Sequence, residues 1–229
     1  MPIQTDIPLS RYTTQHKVHR SIFLREGELV IQNLAHEEDK RQAYRLRNRI
    51  FCKELGWALQ TQDEMEIDNY DKHAVFFGVL NKQRRLLAFL RLILADRTFM
   101  IENEFLSLVD PQHVIRKERD TAELSRLCVA PASRQDKIAG NFGIHHISML
   151  LFKGVYQWCF KNHIRNLYAV TEHKIYKLLC IKGFPCKLVG NPHVMPDGVL
   201  AVAFIIDLKE WEATYLPKNP KLLNWFSLV

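Results

Sequence analysis

The segment from residue 66 to residue 71 carries the densest group of potentially reactive side chains in the chain. Glu66, Asp68 and Asp71 put three carboxylates within six residues, on a stretch with no helical or strand period. Carboxylates this close raise one another's pKa unless a cation or water offsets them, which is a common arrangement in acid–base sites. A solvated acidic loop is the simpler explanation when this segment is taken alone.

Two arginines and a glutamate on predicted strands are candidate partners for these carboxylates. Arg91 interrupts the apolar run Arg85–Leu94, and an arginine within such a strand is rarely buried unless it is paired. Glu123 and Arg126 lie three residues apart on the predicted strand Thr121–Val129, which predicts that they point to opposite faces. The set indicates either a structural ion network or a site for a zwitterionic substrate, and the residues alone leave both open.

A predicted helix adds one cation and two aromatic rings to the group. The periodicity predicts a helix over Glu37–Leu55 that ends at Gly56, with Arg47 and Phe51 four residues apart on one face. Trp57 follows the helix end directly. Core packing would account for either ring taken alone, so their importance depends on the charged residues beside them.

The elements that must position these side chains predict a mixed sheet flanked by helices, an α/β (α+β three-layer) sandwich. We predict a single domain over residues 28–229, preceded by an N-terminal extension over residues 1–27. Strands are predicted at Glu28–Leu34, His73–Leu80, Arg85–Leu94, Thr121–Val129, Asn166–Val170, Lys187–Gly190 and Val199–Leu208. Helices are predicted at Glu37–Leu55, Glu102–Val109, Gly143–Lys161 and His173–Ile181.

The composition is that of an ordinary globular domain. The chain has 229 residues and is 47% hydrophobic, enough for a substantial core. Its five cysteines are scattered without a Cys-x-x-Cys pair, so we predict no metal site, no disulfide framework and a cytoplasmic protein with reduced thiols. We find no signal-peptide pattern and no apolar run long enough to span a membrane.

The net charge of +7 is concentrated in the second half of the chain. From residue 131 onward there are 12 Lys and Arg against 6 Asp and Glu, whereas the first 130 residues carry 20 against 19. A basic half suits an acidic protein partner. The basic residues are dispersed rather than interleaved with aromatics, so nucleic acid is not the predicted partner, and a solvated face without any partner explains the charge equally well.

In order and spacing, these motifs resemble the acyl-homoserine-lactone synthase (autoinducer synthase) family. The resemblance covers roughly residues 28 to 130, and the second half matches only in its predicted element order. The matching residues are Arg47-x-x-x-Phe51, Trp57, Glu66-x-Asp68-x-Tyr70-Asp71, Arg91 within Leu-Arg-Leu, Phe105, and Glu123-x-Ser-Arg126.

The resemblance implies a fold related to the N-acetyltransferases and a two-step reaction that makes a quorum-sensing signal. S-adenosylmethionine is acylated on its amine by an acyl thioester, and then closes to a lactone and releases 5′-methylthioadenosine. S-adenosylmethionine is a substrate here, and no cofactor or metal is implied. The implied catalytic residues are Glu123, Asp68, Glu66 and Arg126. The implied S-adenosylmethionine-binding residues are Arg47, Phe51, Trp57, Asp71 and Arg91.

The acyl donor is predicted less directly. The stretch from Arg134 to Gly143 lacks the glycine-rich loop that cradles the pyrophosphate of coenzyme A, which favours acyl carrier protein over acyl-CoA. Phe105 and Thr171 are expected in the acyl pocket, although a threonine at residue 171 also suits the N-cap of the following helix.

Two other functions remain open on these residues. A related N-acyltransferase would make a fatty N-acyl amino acid from acyl carrier protein without using S-adenosylmethionine. A non-catalytic relative would bind only carrier protein or nucleic acid, but it would have no need of the complete acidic set.

Overall fold

Nine strands of the described residues form one mixed sheet in the computed structural model, which describes residues 19–140, 143–215 and 218–227. Two further strands, β6 and β7, form a separate hairpin. The strands are β1 Phe23–Glu26, β2 Leu29–Asn33, β3 Val75–Leu80, β4 Leu86–Leu94, β5 Thr121–Val129, β6 Lys137–Gly140, β7 Gly143–His146, β8 Asn166–Glu172, β9 Cys186–Leu188, β10 His193–Val194 and β11 Leu200–Asp207. The order across the large sheet is β1-β2-β3-β4-β5-β8-β11-β10, with β9 also paired to β11.

Helices cover both faces of this sheet. They are α1 Glu37–Arg47, α2 Met100–Asn103, α3 Ile147–Asn162, α4 His173–Ile181, α5 Leu208–Tyr215 and α6 Pro220–Ser227. Neighbouring side chains of β3 point to opposite faces: Phe77 packs with Trp158 of α3, whereas Phe76 packs in the cluster that contains Ala43 and Leu46 of α1. The predicted three-layer α/β sandwich is confirmed.

The sheet opens at its centre, between β5 and β8. All other neighbouring strands are antiparallel, but these two run parallel and pair only over Thr121–Leu124 and Asn166–Ala169. Beyond these residues the edge of β5 from residue 125 to residue 129 has no strand partner on that side among the described residues. The divergence creates a gap that a ligand can enter from the carboxyl ends of both strands.

A β-bulge distorts β5 beside this gap. Phe89 pairs with Cys128 and Arg91 pairs with Ser125, so that Arg126 and Leu127 together oppose a single residue of β4. Arg126 has a φ of 55°, the left-handed conformation that L residues adopt only at a cost in energy. Non-glycine residues in this conformation concentrate at functional sites.

The observed sheet begins earlier than we predicted. Phe23–Glu26, within the predicted extension, pairs with β2, while Ile22 and Leu24 at a two-residue period are buried in the core. The division at residues 27 and 28 stays a prediction, and the part of the extension in residues 1–18 lies outside the described residues.

Two predicted helix starts are wrong. The helix predicted from Gly143 begins at Ile147, because Gly143–His146 pairs in the β6–β7 hairpin; Ile144, which extended the helical period, is 69% exposed. The helix predicted from Glu102 begins at Met100, because the Glu102 carboxylate accepts the backbone N–H of Phe99 and so lies inside the first turn. A 3-10 turn at Leu106–Leu108 follows it.

Helices α5 and α6 were not predicted from the sequence. They pack beside α3 and bring Trp211, Trp225 and Phe226 into the core. Within the described ranges, no helix combines the length and the apolar character that crossing a bilayer requires.

Candidate active site

Three arginines and three carboxylates form one ion network on the α1 side of the sheet, which we call the ion cage. Its members are Arg47, Arg91, Arg126, Glu66, Asp68 and Asp71. Arg47 Nε donates to Glu66 Oε2 at 2.5 Å, and its Nη1 donates to Asp71 Oδ1 at 2.7 Å. Arg91 on β4 and Arg126 on β5 complete the network. The three positive and three negative formal charges of these six residues sum to zero.

The two strand arginines contact the same carboxylate from opposite sides. Arg91 Nη1 donates to Asp68 Oδ1 at 2.5 Å and to Asp71 Oδ1 at 2.7 Å. Arg126 Nη2 donates to Asp68 Oδ2 at 2.8 Å and to Glu66 Oε1 at 2.9 Å. The acidic segment is therefore held against the sheet by cations, and the solvated acidic loop considered above is excluded for these three residues.

The bulge brings Glu123 and Arg126 to one side of the sheet. In a regular strand their three-residue spacing would separate them, as we predicted, but the left-handed backbone at Arg126 turns the chain. Both residues line the same cavity, and Met100 contacts both: its N–H donates to Glu123 and its Sδ lies 3.7 Å from Arg126 Nη1. The prediction of opposite faces is wrong for this reason.

The end of the first helix positions the two aromatic rings. After α1 the chain continues as a π-helix over Asn48–Glu54, and Gly56, at a φ of 68°, turns it back. The N–H of Trp57 then donates to the carbonyl of Phe51 at 2.7 Å, and the ring centroids lie 6.2 Å apart. Trp57 is 44% exposed, so its ring forms part of an open wall rather than of the core.

Electrostatics separate Glu123 from the carboxylates of the ion cage. Burial raises the pKa of Glu123 to about 7, although the N–H groups of Met100 and Ile101 donate to its oxygens and oppose the rise. Burial would also raise the pKa of Glu66 and Asp68, but their arginine partners outweigh it and lower both below the ordinary values.

A cavity of about 750 Å³ connects this charged region with an apolar interior. Phe51, Trp57, Glu123 and Arg126 line one end. The other end passes through the gap between β5 and β8. It is lined by apolar side chains of α3, α4, α5 and α6, among them Phe152, Leu179, Trp211 and Phe226, and by Phe184 of the loop after α4.

The two residues expected in an acyl pocket both line this cavity. Phe105 lies near the charged end, and Thr171 lies on β8 beyond the part of that strand that pairs with β5. The N-cap of α4 is Glu172, without a side-chain capping bond, so the capping role considered for Thr171 is not observed.

Three residues of the site were missed by sequence reasoning. Met100 contacts two arginines through its sulfur and Glu123 through its N–H, and Ser125 Oγ accepts from Arg91 Nε at 2.9 Å. Glu104 accepts from the Tyr70 hydroxyl at 2.5 Å. Ser125 and Tyr70 lie inside the quoted motifs, whereas the spacing of Met100 and Glu104 carries no signal.

No group of three or more His, Cys, Asp and Glu side chains in the described part of the chain is arranged to hold a metal ion. The charged end offers guanidinium and backbone N–H groups as donors and carboxylates as acceptors. Such a set can bind a zwitterion and move a proton.

Comparison with known proteins identifies relatives across most of the chain. A family model described as autoinducer synthase matches residues 31–213. A probable acyl-homoserine-lactone synthase of Sinorhizobium fredii is 25% identical over 179 residues, covering 78% of this chain and 84% of the relative. An acyl-homoserine-lactone synthase of Vibrio anguillarum is 28% identical over 168 residues, covering 72% and 84%.

A solved structure shares the fold. The CoA-dependent acyl-homoserine lactone synthase BjaI, solved with SAM and isopentyl-CoA, has a TM-score of 0.66 and 23% identity, covering 79% of this chain and 82% of that one. The family predicted from the motifs of residues 47–126 is confirmed, and with it the prediction of an acyltransferase enzyme. This chain belongs to the autoinducer synthase family.

Proposed function

We propose that this protein is an acyl-homoserine-lactone synthase that acylates S-adenosylmethionine from acyl carrier protein and then closes the lactone. In the first step the amine gives up a proton to a base and its nitrogen bonds to the thioester carbonyl carbon. The carbon–sulfur bond breaks, and the phosphopantetheine sulfur leaves as a thiolate that takes up a proton to become the thiol. In the second step a carboxylate oxygen of the methionine moiety attacks its own γ-carbon. The bond from that carbon to the sulfonium breaks, and neutral 5′-methylthioadenosine leaves.

The observation that supports this most directly is a single cavity that joins a charged end to an apolar end beside Glu123. A zwitterionic, cationic substrate and an acyl chain must meet at one carbonyl carbon. Such a cavity suits that requirement, because the charged substrate can bind at the charged end while the acyl chain binds at the apolar end.

Glu123 is the proposed base for the amine. A carboxylate with a pKa near 7 accepts a proton readily at neutral pH and returns it without a large penalty. Asp68 and Glu66, also candidates, are held as ions by arginines, which makes them weaker bases. Their proposed role is to hold Arg126 and to place negative charge near the sulfonium.

The proposed S-adenosylmethionine site is the open wall beside the ion cage. The rings of Phe51 and Trp57 offer faces to a sulfonium, and Arg126 already lies 5.4 Å from the centroid of the Phe51 ring. The buried base of this site is formed by the paired side chains of Arg47, Arg91 and Asp71. Because Arg126 retains exposure at the cavity, its guanidinium is the proposed contact for the methionine carboxylate.

The proposed preference for acyl carrier protein rests on the segment after β5. Instead of a glycine-rich loop leading into a helix, a 3-10 turn at Pro131–Ser133 and the β6–β7 hairpin precede α3. The described residues of this segment therefore show no loop of the kind that holds a pyrophosphate, a group that coenzyme A has and phosphopantetheine lacks. BjaI uses CoA, so the donor class requires a direct test.

The test is the release of 5′-methylthioadenosine from S-adenosylmethionine with matched acyl-carrier-protein and acyl-CoA donors of several chain lengths. We expect release with at least one donor, and a higher kcat/KM for the carrier-protein form. Absence of release with every donor would contradict the proposal. Formation of an N-acyl amino acid from free methionine, without methylthioadenosine, would instead favour the related N-acyltransferase.

A further inference from the structure

A row of arginines lies on the exposed side of α1 and its π-helical continuation. Arg41, Arg45 and Arg49 repeat every four residues, and all three are exposed. Residues at this spacing are neighbours on a helix surface, so their like charges repel and destabilise the helix. Among the described residues, none of the three makes a side-chain hydrogen bond or a close ion pair that would offset the repulsion.

Three acids, Glu37, Glu64 and Glu54, attract Arg41, Arg45 and Arg49 respectively, but each of them forms its close ion pair with another cation. Glu37 accepts from Lys40 at 2.9 Å, and Glu54 forms a bidentate pair with Arg134 at 2.7 Å. The carboxylate of Glu64 pairs with a lysine of the π-helix. The row therefore keeps its positive charge within the folded protein.

A cleft of about 630 Å³ adjoins the row and adds a fourth cation. Arg45 and Arg49 line it from the helix, and the exposed Arg85, the residue before β4, lines it from the sheet. Asp136 is the acidic residue that lines it. Three arginines against one carboxylate make the cleft a site for a negatively charged surface.

The cleft lies at the end of the strand that carries the proposed base. Ala130, which follows β5 directly, lines the cleft, whereas Glu123 near the start of β5 lines the reaction cavity. From Glu123 to Val129 the strand spans roughly 20 Å. If the thioester of a donor reaches Glu123 along the unpaired edge of β5, the rest of the donor molecule lies beside the cleft, at the Val129 end of that strand.

We propose that the face formed by Arg41, Arg45, Arg49 and Arg85, here called the arginine face, is the docking surface for an acidic helix of the acyl carrier protein. The proposal rests on the proposed function and adds a location to it. Charge complementarity selects this partner, because Asp and Glu at three- and four-residue spacing on a helix match arginines that repeat every four residues and have no close ion-pair partner. The attraction between the two surfaces also accelerates association. The phosphopantetheine arm would then follow β5 from the cleft into the cavity.

The test is a double variant, Arg45→Glu with Arg49→Glu, in the full chain. We expect the KM for acyl carrier protein to rise at least tenfold with kcat within twofold, and binding of holo-carrier protein, followed by fluorescence anisotropy, to weaken by a similar factor. The wild-type affinity should fall steeply with added NaCl, and that dependence should flatten in the variant. Arg119→Glu, an exposed arginine just before the opposite end of β5, is the matched control and should bind normally.

Several outcomes separate this inference from the function it rests on. Equal losses with acyl-CoA and carrier protein would overturn it, because the arginines would then contact a phosphate of the donor. Unchanged carrier-protein binding would overturn it while leaving the proposed function intact. If the wild type releases no methylthioadenosine with any donor, the proposed function fails, and the anisotropy comparison alone decides whether the arginine face binds the carrier protein.

Discussion

Glu123 differs from the carboxylates of the ion cage in the kind of donor that reaches it. Its oxygens accept from backbone N–H groups of α2, whereas Glu66 and Asp68 accept from guanidinium groups. Neutral donors offset the pKa-raising effect of burial less than cations do. The pKa of Glu123 is therefore raised, whereas the pKa values of Glu66 and Asp68 are lowered. This contrast is the reason for choosing Glu123 as the base.

Replacing Glu123 by glutamine tests that choice. We expect kcat/KM to fall by about 10²- to 10⁴-fold, because an amide has the same shape but cannot accept the amine's proton. In the wild type, kcat/KM should rise with pH through about 7, as the carboxyl group ionises, and the variant should lack that step. Methylthioadenosine release measured from pH 5.5 to pH 8.5 checks both. A variant that retains the wild-type rate and pH profile would exclude Glu123 as the base.

The buried and the exposed arginines of the ion cage should differ in what they contribute. Arg47 is 0% exposed, so Arg47→Met leaves buried carboxylates without their cation and should cost about 3–5 kcal/mol in free energy of unfolding. The Arg126 side chain is 18% exposed, and water can replace part of its contacts, so Arg126→Met should cost less and raise the KM for S-adenosylmethionine more. Urea unfolding and steady-state kinetics of both variants make the comparison. Equal losses of stability would contradict it.

At the scale of elements, α4 lines the apolar end of the cavity. None of its residues is fully buried, yet Ile175 and Leu179 line the cavity while Leu178 points outward and is 45% exposed. The sequence predicts this helix at His173–Ile181, and the structure has the same bounds. Its relation to the cavity depends on α5 and α6, which the sequence pattern did not indicate.

Leu179→Trp should shorten the acyl chain that the protein accepts. The larger side chain fills part of the cavity, and each methylene excluded from an apolar pocket changes specificity by about 10- to 200-fold. We expect the ratio of kcat/KM for a long donor to that for a short donor to fall at least tenfold. Leu178→Trp on the outward side of the same helix is the control. An unchanged ratio in the first variant would mean that the acyl chain lies elsewhere.

For the whole molecule, stability should depend on pH with two opposing contributions. Glu66 and Asp68 have lowered pKa values in the folded state, so their contribution is present above the ordinary carboxyl range and is lost as pH falls through the lowered values. The contribution of Glu123 to stability has the opposite dependence on pH, because its pKa is raised in the folded state. Its contribution is present below its ordinary value of 4.5 and is lost as pH rises through about 7.

Urea unfolding of the wild type and Glu123→Gln between pH 3 and pH 8 separates these contributions. We expect both proteins to lose stability on acidification below the ordinary carboxyl range. The wild type should also lose stability relative to the variant as pH rises from 4.5 to 7. A constant difference between the two proteins across that interval would show that Glu123 keeps an ordinary pKa.

The sequence by itself determined the family, the layer architecture and the charged and aromatic candidates for the site, because helix and strand periods and motif spacings are local properties of the chain. It did not indicate Met100 or Glu104. Only the tertiary structure decided how the members are arranged. The bulge at Arg126 brings it beside Glu123, and the acidic segment folds across the sheet to meet Arg91. Burial and through-space partners, rather than spacing, separate a carboxyl group with a pKa near 7 from carboxylates held by arginines. These depend on contacts between residues far apart in the chain, which no local pattern records.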